Sequence, residues 1–516
     1  MTRRIPSFAF VCVCCASAIA ELQNVDVEGQ LRIRVRYWDN VYMDSTREVR
    51  IPNFFLSNRP IGPFGAASRY SFDDAGKTRT WVEQNTRLKV SADFTNYVNA
   101  VIELDDFEVW GQTDFRSNYL TGVDSAANSS DDVEILQSYI EMNEIAGMPL
   151  RLRIGRQQIK LGAGWLVGEQ HASINSSFDG VRGTYTGDGW ALDGWATKLF
   201  ETGTNEEDGD VNLYGLSATC TAVEGHEFQL YWLYLRDARS LNDTNFVAPI
   251  EWLEDAFDLD DYDATNLHTV GFRASGELLG VDYAGEIAYQ FGDADSAGAL
   301  FAPFNRLYGD DGASCDNWGV DIEAGYTFEN AMWTPRVYLG GVYFSGEDNR
   351  DPSFLDWLNP FDRPDASISF NRLFSQVRYY EVFDDARGGS NFYLIRGGVQ
   401  ANPLERVSAS FEVSKLGVNE TFDYPTAIDA GMFRIPVAPA LSFLTEESGD
   451  DIGYVAGIEF LYQYSEDLTF KLSWDHMFVS DDVVDGNFIF ANGLEFLGGS
   501  DSDDLNYVEL ETRLRF

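Results

Sequence analysis

Arg32, Arg34 and Arg36 stand at every second position of one segment, and Arg151 and Arg153, continuing to Arg156, form a second basic row. Alternate residues of an extended chain share a face, so a row of this kind presents its guanidinium groups side by side. A guanidinium grips a carboxylate through two parallel hydrogen bonds, and three of them on one strand cannot all be matched within that strand. The chemistry implied is recognition of an anion, for which the carboxylate of an acidic sugar is a suitable partner. Other chemistries have little to work with. The four histidines, His171, His226, His268 and His476, lack metal-ligand spacing. His171 with Ser173 and Asp179 is the one local grouping that a hydrolase at a barrel rim would need. No phosphate loop or dinucleotide fingerprint occurs, and no cofactor or metal is expected.

The elements that hold such rows read as strands. Leu468, Phe470, Leu472, Trp474, His476 and Phe478 alternate with Thr469, Lys471, Ser473 and Asp475. The run from Tyr454 to Tyr464 alternates in the same way, and Ser465-Glu466-Asp467 joins the two as a hairpin. The same test predicts eighteen strands, near 30–38, 81–94, 97–107, 134–143, 149–156, 179–186, 190–200, 212–220, 227–236, 266–275, 281–291, 316–328, 334–345, 392–401, 407–416, 453–464, 468–479 and 507–516. Most reach the ~9–11 residues that a tilted strand needs to cross a bilayer. Long segments follow the odd strands, whereas short links such as Thr95-Asn96 and Gly187-Asp188-Gly189 follow the even ones. A soluble sandwich has no reason to sort its loops in this way. An outer-membrane barrel does, with short periplasmic turns and long extracellular loops. The fold expected is therefore all-β, a transmembrane antiparallel β-barrel of about eighteen strands.

Composition agrees. With 37 Lys+Arg against 83 Asp+Glu, the net charge of −46 repels phosphates and excludes a nucleic-acid partner. The 14% aromatic content and 46 glycines favour strands. Arg3 and Arg4, the apolar stretch from Ile5 to Ala16 and Ala18-Ile19-Ala20 read as a signal peptide over 1–20, leaving a barrel over 21–516. Cys12, Cys14 and Cys15 lie inside that signal, and Cys220 and Cys315 remain after it.

When each strand's less apolar face is turned inward, the lumen gains Arg32, Arg34, Arg36, Arg87, Lys89, Arg151, Arg153, Arg182, Arg273, Arg336, Arg396, Arg513 and Arg515. It also gains Glu83, Asp93, Glu103, Asp105, Glu141, Asp282, Glu286, Asp321, Glu323, Glu412, Glu459, Asp475, Glu509 and Glu511. The interior is thus densely charged yet nearly neutral, and the excess negative charge falls to loops in runs such as Glu254 to Asp263, Asp310-Asp311 and Asp501 to Asp504. Inward arginines and carboxylates are placed to pair across strands as a ladder, to serve as a track for an anionic solute, or to do both. Trp38, Trp81, Trp190, Trp318, Trp333 and Tyr507 fall near strand ends, where aromatic girdles are expected. Val508, Leu510, Thr512, Leu514 and Phe516 make an alternating aromatic-ended strand similar to the assembly signal of bacterial outer-membrane barrels.

The stretches Arg153-Ile-Gly-Arg-Gln157, Gly162-Ala-Gly-Trp-Leu-Val-Gly168 and Phe178-Asp-Gly-Val-Arg182 resemble the motif block of the alginate export family of outer-membrane porins. The resemblance implies an eighteen-stranded barrel that passes a polyuronate through an arginine-lined constriction. It makes Arg153, Arg156, Gln157, Asp179 and Arg182 candidates for the lumen and its constriction. The chain carries Ala163 and Trp165 where the family pattern usually has an acidic residue and an arginine. The function expected is a channel for passive transport of an anionic polysaccharide or a small solute, located in the outer membrane after signal cleavage. Its surroundings would be outer-membrane lipid and lipopolysaccharide, and the resemblance adds a periplasmic export scaffold as a partner. The competing readings are a non-transport barrel whose acidic loops serve adhesion or cation capture, and the rim hydrolase.

Overall fold

The computed structural model describes residues 22–40, 43–44, 68–71, 78–94, 97–110, 133–171, 174–201, 210–237, 265–293, 300–301, 306–307, 313–346, 366–367, 369–382, 389–420, 423–424, 427–430, 433–436, 446–447, 450–480, 494–497 and 504–516. The expected signal peptide and the acidic runs 254–263, 310–311 and 501–503 lie outside the described residues, as do the side chains of His171 and Ser173.

Eighteen strands make one ring. In chain order they are β1 (Leu22–Asp39), β2 (Arg79–Phe94), β3 (Val98–Val109), β4 (Glu134–Met142), β5 (Leu150–Gln157) and β6 (Phe178–Gly187). Next come β7 (Trp190–Phe200), β8 (Val211–Cys220), β9 (His226–Asp237), β10 (Thr265–Leu278), β11 (Val281–Asp293) and β12 (Ala313–Thr327). The ring continues through β13 (Arg336–Phe344), β14 (Phe392–Leu404), β15 (Val407–Val418), β16 (Asp451–Gln463), β17 (Leu468–Val479) and β18 (Leu505–Arg515). Each strand pairs antiparallel with the next, and β1 pairs with both β2 and β18, as in Arg36 opposite Trp81 and Glu509. Closure leaves every backbone group along the seam a partner, which is what a sheet in hydrocarbon requires.

The predicted strands recur with ends shifted by a few residues, except that β1 starts at Leu22 instead of 30. Leu22–Gly29 finds its partner in β2, whereas β18 stops opposite Gly29. There the Gly29 N–H donates to the Phe516 carbonyl at 2.7 Å and the Phe516 N–H returns the bond at 3.0 Å. The Phe516 ring lies over Gly29 so closely that a Cβ added there would meet Cζ at 2.3 Å, so a side chain at 29 would displace that ring.

The two faces of the wall are chemically opposite. Val35, Tyr37, Leu88, Val90, Ile102, Ile154 and Leu472 are exposed, whereas Arg34, Glu83, Glu103 and Glu509 are buried. A water-soluble sheet would not bury its charges and expose its aliphatics, but a barrel with a lipid-facing exterior does. Among the described residues no helix is long and apolar enough to cross a membrane. One expectation about the girdle needs correction. Trp190, Trp318 and Trp333 are exposed, but Trp38 and Tyr507 are buried and share the inward face with Arg36, with Trp81 packed against them. Their rings sit around that guanidinium at 4.3 Å for Trp38, 5.6 Å for Trp81 and 5.5 Å for Tyr507. Parity places them inside, because Trp38 lies two residues beyond Arg36. Cys220 is a half-buried free thiol, and Cys315 is buried.

Candidate functional site: a lumen narrowed by two inward segments

Two segments leave the wall at the long-loop end and turn inward, 158–169 after β5 and 369–382 before β14. They meet as a parallel bridge at Val167 and Phe374. The Phe374 N–H donates to the Leu166 carbonyl at 2.8 Å and the Gly168 N–H to the Phe374 carbonyl at 3.0 Å. Gly164 and Gly168 of the motif are explained by the approach of the second segment. Gly164 has φ +81°, a left-handed conformation that glycine adopts without strain. A Cβ at Gly164 or Gly168 would strike the Gln376 side chain, at 2.3 and 2.5 Å respectively. Gln376 uses the space. Its Nε2 donates to the Ala163 carbonyl at 2.8 Å and its Oε1 accepts from the Glu169 N–H at 3.1 Å. Trp165 stacks on Phe344 and Phe370 and donates through Nε1 to the Tyr379 hydroxyl at 3.0 Å. Trp165, Leu166, Val167, Phe370 and Phe374 form an apolar kernel inside an otherwise polar lumen.

Segment 369–382 is fastened to the wall at several points. Gln290 on β11 exchanges two 2.7 Å hydrogen bonds with the backbone of Asn371. The Tyr379 hydroxyl donates to Asp321 on β12 at 3.0 Å. Tyr380 bonds Glu412 and Ser414 on β15. Glu381 pairs with Arg378 and, at 2.5 Å, with Arg36 on β1. Burial in the first place, and then the neighbouring Asp321 and Glu412 carboxylates, push both tyrosine hydroxyls well above the usual phenol range. Both therefore remain hydrogen-bond donors at neutral pH.

The inward-predicted cations divide into several groups. Arg32, Arg34 and Arg36 face inward but are covered, at 6%, 3% and 1% exposure, so none of them lines open water. Glu83 lies between Arg34 and Arg36, 3.1 Å from the latter, and Glu509 stands 3.6 Å from Arg34. Arg87 pairs with Glu103 at 2.7 Å and donates to Gln158 of the first inward segment at 3.1 Å. Lys89 pairs with Glu28, Arg273 with Glu227, Arg336 with Asp282 and Glu323, Arg396 with Asp321 and Glu323, and Arg513 with Glu511. Arg515 donates to Gln30 at 3.3 Å. The expected ladder is therefore present.

On β5 and β6 the ladder is less complete. Arg153 stands directly opposite Arg182, an unfavourable placement for like charges, and each turns away to a carboxylate, Glu141 and Asp193, at 2.7 Å. Arg153 also lies over the Tyr139 ring at 4.2 Å. Arg151 has only Thr184 Oγ1 at 3.4 Å and no carboxylate within ion-pair distance among the described residues.

Three expectations from the motif need correction. Gln157 is fully buried, and its amide donates to the backbone carbonyls of Gly155 and Gly180 at 3.2 Å, so it pins the strand end instead of lining a channel. Arg156 and Asp179 pair with each other at 2.8 Å and are in register with the face of exposed Ile154 and Val181. They stand on the outer wall, because Arg156 is out of phase with Arg151 and Arg153. The carboxylate of Asp179 is accordingly engaged by an arginine. The residues missed by sequence reasoning are Arg372, Arg378, Tyr379, Tyr380 and Glu381. Their signal was the apolar set Phe370, Leu373, Phe374, Val377 and Val382 within a long connection otherwise rich in polar residues.

The alginate export family matches the chain over residues 65–481. No curated protein matches it. Among solved structures, OccAB1 of Acinetobacter baumannii is 10% identical, with 95% of this chain and 96% of that chain covered and a TM-score of 0.49. OprD of Pseudomonas aeruginosa is 11% identical, with 97% and 95% covered and a TM-score of 0.47.

Proposed function

Because the chain belongs to the alginate export family and closes into a barrel, it is an outer-membrane channel for passive transport, and we propose that it passes an anionic sugar chain along Arg151, Arg153 and Arg182. In this reading the short turns face the periplasm, where an export scaffold docks, and lipopolysaccharide surrounds the outer wall. The observation that carries the reading is Arg151, an inward guanidinium with no carboxylate of its own beside two that have one each. A channel must attract its solute without trapping it. Glu141 and Asp193 hold Arg153 and Arg182 largely out of solvent, so Arg151 is the guanidinium that a passing carboxylate engages without displacing another.

The test is conductance of the purified protein in a planar bilayer. Uronate oligomers added on the short-turn side are expected to block the current, and neutral glucan oligomers of equal length to leave it open. Equal block by both, or no pore at all, overturns the proposal.

A further inference from the structure

Outward-facing cations are sparse on the described wall, and three of them share one level. From β5 to β9 the register at the long-loop end runs Arg156, Asp179, Lys198, Asn212, Arg236. Every second strand therefore carries a cation, at steps of roughly 9–10 Å for two strand spacings. All three point outward. Lys198 lies between buried Thr197 and Leu199, Arg236 follows buried Leu235, and Arg156 follows the phase of exposed Ile154. Two residues further into the wall, Tyr214, Tyr234, His268 and Phe291 stack across neighbouring strands with centroids 5.7, 4.4 and 5.1 Å apart. Tyrosine and tryptophan rings gather at the membrane–water interface, so the cations lie at headgroup level, just outside it.

We propose that this arc binds a phosphorylated glycolipid of the outer leaflet, with Arg156, Lys198 and Arg236 holding its phosphates and the aromatic row bearing its acyl chains. In a chain of net charge −46, three cations at one register level on a lipid-facing wall do not follow from bulk composition. A phosphate offers three acceptor oxygens and up to two charges to the same groups. The carboxylates already present do not compete strongly. Asp179 holds Arg156 at 2.8 Å, and Lys198 is held by both Glu201 and Asp210, the latter at 2.7 Å; these pairs are solvent-accessible, where ion pairs are weak. The proposal rests on the exterior facing lipid and is independent of the solute.

Native mass spectrometry of the detergent-purified protein tests it, with a diphosphorylated acyl-glucosamine disaccharide and its dephosphorylated form as probes. The wild type is expected to retain the phosphorylated lipid, and Lys198→Gln combined with Arg236→Gln to lower that retention by about fivefold or more, as loss of two charge-assisted contacts implies. Lys415→Gln, an outward lysine on β15 paired with Asp451, should behave as wild type. Equal retention of both lipids, or no change in the double variant, overturns the proposal. Retention abolished by inorganic phosphate alone would also overturn it, by reducing the arc to a simple anion site. Single-channel conductance of the double variant should equal that of the wild type, so failure here is separable from failure of the transport reading.

Discussion

On β1, Arg34 and Arg36 share Glu83, are closed over by Glu381 of an inward segment, and lie almost wholly out of solvent. On β5, Arg151 occupies the same kind of position, inward and one residue from its neighbour in the row, with only Thr184 in reach. The difference lies in what the adjoining strands and segments supply. β2 and β18 place carboxylates opposite the first row, as Glu83 opposite Arg34 and Glu509 opposite Arg36, whereas β6 places Arg182 opposite Arg153. A row of arginines is thus a lock where acids and a lid converge on it, and a contact surface where they do not.

Breaking the lock should have the largest effect. Arg36→Gln leaves Glu83 and Glu381 short of a buried partner, and loss of one side of a buried pair costs roughly 3–5 kcal/mol. Thermal unfolding followed by circular dichroism should show a much lower midpoint, and an unchanged midpoint would refute the lock. A smaller effect concerns the lid. Tyr380→Phe removes the hydroxyl that reaches Glu412 and Ser414, leaving buried acceptors at a cost of about 1–3 kcal/mol, and should raise open-channel conductance. The wild type offers a pH counterpart with a definite sign. A phenol whose folded value is raised contributes stability that is complete below its unfolded value near ~10 and is lost as pH rises through the folded one. Conductance should accordingly hold steady up to about pH 10 and rise only above it. The smallest effect belongs to the contact surface. Arg151→Gln should shift anion-to-cation permeability toward cations by only about two- to fivefold, near 1 kcal/mol or less, with no change in unfolding midpoint. If Arg36→Gln altered selectivity and Arg151→Gln altered stability, the contrast between the two strands would be reversed.

Much of this was legible without coordinates, for a physical reason. A strand between lipid and water must alternate, so Leu468 to Phe478 declared both its limits and its faces, and the inward acids of β2, β12 and β18 followed from the same parity. Parity also held the answer for Arg156, Asp179, Trp38 and Tyr507, where a motif or a position near a strand end pointed elsewhere. The inward segments were less legible. Connections obey no period, and the contact between Gln376 and the Gly164–Gly168 backbone joins residues over 200 apart in sequence, as the Gln376–Glu169 bond with a separation of 207 illustrates. Their apolar residues announce burial without saying against what.

The meeting of β1 with β18 has a consequence for biogenesis. Arg36 and Tyr507 touch across 471 residues of chain, so the seam is the most non-local contact in the ring and carries the largest loop-closure cost. A translation product arrested before its final strand would hold two unsatisfied edges, on β1 and β17, with nothing to bring them together. Such a chain would remain adhesive to any other strand until chaperoned or degraded, and the membrane would meet a sealed wall only after β18 had been delivered.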